Sequence, residues 1–278
     1  MHKYVFFDRE ILKAEKAVIS AAASAALYGR GVFTTVAIYD SKPLFWEKHW
    51  RRLFENAGKL NIDLSEFGEE LMKNALSAIV EANKMRSGRA RLTFFDETAS
   101  RIWNLETARK TSFLITTADF QTISGDFRLT VSPFPVNSAS PLANVKSCNY
   151  LEKIIALDEA KKRGFDEAVR INERGEIASA CMANVFWIKD GKLFTPPIET
   201  GCLAGTTREF LIEELKCFET IANLRTLREA DAIFLTSAGI GIRPVAKFEA
   251  KPFPFLPPQI IEIIEKYAEK TRAGAKID

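Results

Sequence analysis

At 278 residues the chain is long enough for one large domain or two modest ones, and 47% hydrophobic with 27% charged residues is the composition of a globular protein with a sizeable core. Thirty-nine Lys and Arg against 36 Asp and Glu leave a formal charge of +3 without a long basic run, which excludes a nucleic-acid surface built on bulk charge. Four cysteines without C-x-x-C spacing and only two histidines, His2 and His49, exclude a histidine-rich metal site. Four reduced, mostly buried thiols are expected. No stretch is apolar and charge-free over a bilayer's thickness, and the first residues lack an apolar signal region. The expectation is a cytoplasmic protein with no nucleic-acid and no membrane partner.

In chain order, Val32 to Tyr39 is rich in β-branched and aromatic residues and reads as a strand, with Asp40 to Pro43 as the turn after it. A helix follows from Glu47 to Leu60, with Leu53, Ala57 and Leu60 on one face. Another runs from about Ser65 to Lys84, carrying Leu71, Ala75, Ala78 and Ile79. Strands are predicted at Ala90 to Phe95 and Thr111 to Thr116. The proline- and serine-rich texture between Thr122 and Ala143 surrounds a single strand-like run, Phe127 to Ser132. It suggests a small N-terminal domain over 1–119, a linker over 120–126 and a larger domain over 127–278. Leu151 to Arg163 reads as a helix with a stripe of Leu151, Ile154, Ile155 and Ala160, ended by Gly164. Val185 to Ile188 and Leu193 to Thr195 flank Asp190-Gly191, a hairpin signal. A helix is expected from about Thr207 to Phe218, a strand over Ala232 to Thr236 and a closing helix over Gln259 to Arg272.

Three places could carry chemistry. In Gly201-Cys-Leu-Ala-Gly-Thr-Thr-Arg-Glu-Phe210, Thr206 can cap a helix and Glu209 can complete a capping box. The same helix start is either a plain cap or a phosphate site. Thr236-Ser237-Ala238-Gly239 follows a strand, as an ordinary turn or as an anion-binding nest. Lys146 lies in Asn144-Val-Lys-Ser-Cys-Asn-Tyr-Leu151, flanked by uncharged residues that suit a partly buried amine able to form a Schiff base with an aldehyde.

Together these motifs resemble the class-IV aminotransferase family, the fold-type IV pyridoxal-phosphate enzymes. Its members include branched-chain aminotransferases, D-amino-acid aminotransferases and 4-amino-4-deoxychorismate lyases. The resemblance runs from Tyr28-Gly-Arg-Gly-Val-Phe33 through Ala183-Asn-Val-Phe-Trp187 and Gly205-Thr-Thr-Arg208 to Gly241-Ile-Arg-Pro-Val245. It implies an α/β (α+β) architecture of two domains with the cofactor between them, a smaller N-terminal and a larger C-terminal α/β domain, and a homodimer. It also implies pyridoxal 5′-phosphate as cofactor and a small-molecule amino compound as substrate.

By the resemblance, Lys146 is the Schiff-base lysine and the group that moves the Cα proton. Arg52, in His49-Trp-Arg-Arg-Leu53, matches the phosphate arginine. Thr206, Thr207, Ser237 and Ala238 match the phosphate-binding backbone, and Asn184 anchors the Asn-Val-Phe motif. Tyr28, Arg30, Phe33 and Arg91 are candidate substrate contacts. One departure stands out. The family's glutamate for the cofactor's pyridine nitrogen falls five residues before Asn184, and Ser179 occupies that place. Glu173 and Glu176, the nearest carboxylates, read as solvent-facing turn residues.

The spacing Lys146-Ser-Cys-Asn149 resembles the lyases and D-amino-acid aminotransferases, and Gly31-Val-Phe-Thr-Thr35 resembles the lyases' strand. The lack of an arginine–x–histidine trap in Leu92-Thr-Phe-Phe-Asp96 speaks against the D-amino-acid enzymes, although Arg30 stands where lyases and those enzymes usually have aspartate. The resemblance therefore points first to 4-amino-4-deoxychorismate lyase, second to an aminotransferase of branched-chain or D-amino-acid type, and last to a weakly active cofactor-binding protein.

Overall fold

The computed structural model describes residues 1–99, 110–121, 125–253 and 256–273. Of the linker expected over 120–126, residues 122–124 lie outside the described residues. Contacts divide the chain into two units. The first is built from the chain up to Phe120 together with Val145–Tyr150 and the described residues from Lys270 on; the second takes Gln121–Asn144 and Leu151–Glu269.

The first unit is an antiparallel sheet of six strands: β1 (Tyr4–Phe7), β2 (Glu10–Lys13), β3 (Gly31–Tyr39), β4 (Lys42–Pro43), β5 (Gly88–Asp96) and β6 (Thr111–Ala118), ordered β2-β1-β6-β5-β3-β4. A short helix, α1 (Ser24–Tyr28), precedes β3; α2 (Trp46–Lys59) and α3 (Glu69–Ala82) follow the β3–β4 hairpin. The hairpin turns at Asp40 and Ser41, both with positive φ, a primed turn whose twist matches its strands. Trp46, Leu53, Met72, Leu76 and Ile79 bury the helices against Val36, Leu92, Phe94 and Ile115 of the sheet. Each fully buried side chain of this size contributes about 1.5–3 kcal/mol over leaving it in water. Leu71, read from the sequence as one of the helix's apolar residues, is exposed, and Met72 and Leu76 take the inward positions.

The second unit holds two five-stranded sheets. One is ordered β12-β11-β10-β13-β14 and the other β16-β15-β7-β8-β9. The strands are β7 (Arg128–Val131), β8 (Glu167–Ile171), β9 (Ile177–Ala180), β10 (Asn184–Lys189), β11 (Lys192–Thr195), β12 (Cys217–Glu219), β13 (Ala232–Ser237), β14 (Gly241–Pro244), β15 (Lys247–Phe248) and β16 (Lys251–Pro252). Its helices are α4 (Leu151–Lys162), α5 (Thr206–Glu214), α6 (Leu224–Glu229) and α7 (Pro258–Ala273) up to Glu269. Val169, Ile177, Val185, Trp187, Ile233 and Leu235 from both sheets share one core.

Two expectations are corrected here. The helix from Thr207 to Phe218 stops at Glu214, and Cys217–Glu219 becomes a strand parallel to β11. On α4 the apolar stripe faces outward: Leu151, Ile154 and Ile155 are exposed, while Ala156 and Ala160 pack against Ala168 and Cys181. Periodicity marks an apolar face without saying what covers it. All four thiols are free, Cys181 and Cys202 buried and Cys148 and Cys217 half-buried, and burial pushes each thiol's pKa up, for Cys217 to about 12. No described helix is long and apolar enough to cross a membrane.

Candidate active site

Lys146 is carried on a short strip stitched to the start of β3. Phe33 N–H donates to Lys146 O at 2.9 Å, Cys148 N–H donates to Gly31 O at 2.8 Å, and Val32 bridges Ser147. The approach demands glycine at 31: a Cβ there would lie 2.9 Å from both Cys148 Sγ and Phe94 O. The strip aims the lysine amine over the Phe33 ring, 4.5 Å from its centroid, and within 3.3 Å of the Tyr150 hydroxyl. Tyr150 stacks edge-on against Phe33 with centroids 5.2 Å apart. The Arg91 guanidinium covers the same ring at 3.6 Å and donates from Nε to Thr93 Oγ1 at 3.3 Å. An exposed guanidinium and a half-buried amine therefore share one aromatic ring.

Behind this ring a second group is fixed between β3 and α2. Arg52 Nη2 donates to Thr34 Oγ1 at 2.7 Å, and the same hydroxyl hydrogen-bonds His49 Nδ1 at 2.7 Å. All three side chains are buried. Burial, and then the positive charges of Arg52 and Lys146, hold the His49 pKa well below its ordinary value. A neutral imidazole adds no charge to Arg52, and the shared hydroxyl fixes one end of the guanidinium.

The remaining candidates of this unit divide. Tyr28 is exposed at the end of α1, where Gly29 (φ 64°) lets the chain turn against Asn149; a Cβ on it would lie 3.3 Å from the Asn149 backbone. Arg30 is committed elsewhere: its Nε pairs with Asp96 at 3.3 Å and its Nη2 donates to Leu60 O at 3.3 Å.

In the second unit, Asn184 gathers the rest. It stands opposite Thr236 in the β10–β13 ladder, one residue before Ser237 and Ala238, and its Nδ2 donates to Leu203 O at 2.8 Å. The start of α5 is thereby tied to the turn after β13. Gly205 is the N-cap, so the capping box expected on Thr206 is replaced by a bare backbone cap, and Thr206 and Thr207 form the first turn. A Cβ on Gly205 would lie 2.0 Å from Asn184 Oδ1. The first N–H groups of this nine-residue helix have no intrahelical acceptor, and with two threonine hydroxyls they form a donor set for an anion. Ser179 is half-exposed on β9, directly opposite Arg170 on β8. Glu173 and Glu176 stay in the turn they were read into: Glu173 holds Ser138 and Arg174, and Glu176 holds Asn172 and Arg174.

Tyr150, Thr34 and Arg170 escaped the sequence reading. Tyr150 is visible four residues after Lys146, within the same short motif. Thr34 lies inside a strand read for its β-branched and aromatic content rather than for a polar role, and nothing local marks Arg170 among the chain's many arginines.

An amine beside a phenolic hydroxyl suits an aldehyde bearing a ring hydroxyl. In the first unit the buried Arg52 guanidinium suits a phosphate, and in the second the helix start with two threonines does so by itself. Taken by itself, each unit's donor set suits a part of pyridoxal phosphate. The Amino-transferase class IV pattern matches residues 31–248. A branched-chain-amino-acid aminotransferase of Escherichia coli is 26% identical over 259 residues, covering 87% of this chain and 84% of its own. An aminodeoxychorismate lyase of Bacillus subtilis is 26% identical over 254 residues, covering 88% and 86%. The branched-chain aminotransferase structure of Thermoproteus uzoniensis superposes with a TM-score of 0.92 over 99% of this chain and 97% of that one, at 23% identity, a likeness of fold. The chain belongs to the class-IV aminotransferase family and is a pyridoxal-phosphate-dependent enzyme of its mixed α/β fold.

Proposed function

We propose that the enzyme is a 4-amino-4-deoxychorismate lyase, releasing 4-aminobenzoate and pyruvate. The observation that carries the reading is the ring shared by Lys146 and Arg91: a half-buried amine with an exposed guanidinium beside it suits a substrate whose amine lies near a carboxylate. The Lys146-Ser-Cys-Asn149 spacing and the likeness to the Bacillus lyase support it.

In this reading Lys146 Nζ holds the cofactor and removes the proton from the carbon bearing the substrate's amine. Tyr150 orients the lysine by its hydroxyl. Arg91 takes a carboxylate, with Phe33 and Tyr28 bounding the substrate. Arg52 in the first unit, and Thr206, Thr207, Ser237 and Ala238 in the second, serve the phosphate. Ser179 takes the ring nitrogen. Pyridoxal phosphate, when bound, supplies an electron sink conjugated to the substrate's amine. As the proton passes to Lys146, the C–H electron pair becomes the third double bond of the product's ring, the enolpyruvyl oxygen departs with the C–O pair, and the enolpyruvate takes up a proton, returned by the lysine, to become pyruvate. The aromatic product keeps its amine, so no amino-group acceptor is consumed.

An aminotransferase is the second reading, favoured by the branched-chain relatives. Incubating the reconstituted enzyme with aminodeoxychorismate separates the two. Release of 4-aminobenzoate and pyruvate without an oxo acid supports the lyase. Turnover of branched-chain or D-amino acids that stops without 2-oxoglutarate or pyruvate replaces it with the transaminase. We also infer a cytoplasmic homodimer, supported by the exposed Leu151, Ile154 and Ile155 on one helix and by four free thiols.

A further inference from the structure

Directly across from Ser179 the second unit places a buried guanidinium. Arg170 and Ser179 are direct partners in the β8–β9 ladder, so both side chains leave the same face of the sheet, their Cβ atoms about 5 Å apart. Arg170 is 2% exposed; its Nη2 donates to Pro135 O at 3.0 Å and its Nε to Phe134 O at 3.4 Å, and Glu152 pairs with it from the start of α4. Lys153, the next residue of α4, brings a second cation into the same field. Burial, and then the Arg170 charge, lower its pKa to about 8.

The nearby carboxylates are all engaged. Glu152 is on Arg170. Glu167 accepts the N–H groups of Ala168, Cys181 and Met182, and its burial raises its pKa. Glu173 and Glu176 are held in their turn by Ser138, Asn172 and Arg174. Ser179 is half-exposed, and its hydroxyl makes no hydrogen bond to a described side chain or backbone group, so it is an available donor.

We propose that this enzyme holds the pyridine nitrogen of its cofactor unprotonated, with Ser179 Oγ–H donating to it and Arg170 as the positioning cation that disfavours a second positive charge there. The proposal rests on the assignment of Ser179 to the ring nitrogen made above. A neutral pyridine nitrogen is an acceptor and needs a donor; a pyridinium is a donor and needs a carboxylate. This face supplies the donor, Ser179, and a buried guanidinium, Arg170, directly across from it. A ring left neutral is the weaker electron sink. That suits loss of pyruvate from aminodeoxychorismate, where the new aromatic ring supplies driving force that amino transfer lacks.

The test is the ¹⁵N resonance of pyridoxal phosphate labelled at the ring nitrogen and bound to the full-length protein, read against the free cofactor in its protonated and unprotonated forms. The expected result is a bound resonance at the unprotonated position from mildly acidic to mildly basic pH. In Ser179→Glu alone, Arg170 should capture the new carboxylate and leave the resonance near that position. Ser179→Glu combined with Arg170→Leu should move it to the protonated position. A protonated nitrogen in the wild type overturns the proposal while leaving the cofactor assignment intact. Full protonation in Ser179→Glu alone overturns the role given to Arg170. Absence of any bound resonance overturns the cofactor reading itself, and the proposal with it.

Discussion

A single hydroxyl, Thr34 Oγ1, serves both His49 and Arg52, so the ionisation of one bears on the other. The folded chain keeps the imidazole neutral, whereas the unfolded chain protonates it near pH ~6.5. Its contribution to stability is therefore fully present above that pH and is lost as pH falls below it, because the unfolded state then binds the extra proton. Denaturant midpoints measured from about pH 8 down to about pH 5.5 should fall, and His49→Gln should flatten the fall. An unchanged slope in that variant would assign the acid sensitivity to other groups. For Lys146→Ala, the absorption band of lysine-bound pyridoxal phosphate should be absent from the reconstituted protein; a surviving band would move the role to another lysine. Lys146 was legible because its motif is local in sequence. Arg170 was not, since its meaning lies in a cross-strand register with Ser179 that no short window contains.

Helix starts and helix faces carry the next lesson. The α5 start was read as a threonine cap with a glutamate partner, yet Gly205 caps it because Asn184 reaches in from β10 to the space a side chain would fill. Gly205→Ala should thus push Asn184 off Leu203 and cost about 1–3 kcal/mol by overpacking. A thermal melt would read that loss, and inorganic phosphate should stabilise the variant less than the wild type if the same movement spoils the anion site. Long strands were placed from sequence to within a residue or two, because β3, β5 and β10 alternate or run apolar as buried strands do. β12 was lost inside a helix since three residues hold no period of their own.

At the scale of the molecule, α4 turns Leu151, Ile154 and Ile155 to solvent while small alanines face the sheet. Such a face is what an isologous contact between two copies would cover. Leu151→Asp with Ile155→Lys should convert dimer to monomer in sedimentation velocity without changing the far-ultraviolet circular dichroism. A wild type that already sediments as a monomer would remove the dimer from the reading. Apolar periodicity marks this stripe without telling what covers it, because burial against one's own sheet and burial against a partner leave the same pattern.

The strip that carries Lys146 also limits how the protein can be taken apart. A fragment ending at Phe120 would retain Phe33, Thr34, Arg52 and Arg91, yet its β3 would present the Phe33 N–H and the Gly31 carbonyl without the strip that pairs with them. Such an open edge invites pairing between fragments. Dissection at the boundary between the units should therefore yield an aggregating piece, and a synthetic peptide of residues 144–151 added in trans should be what restores its solubility.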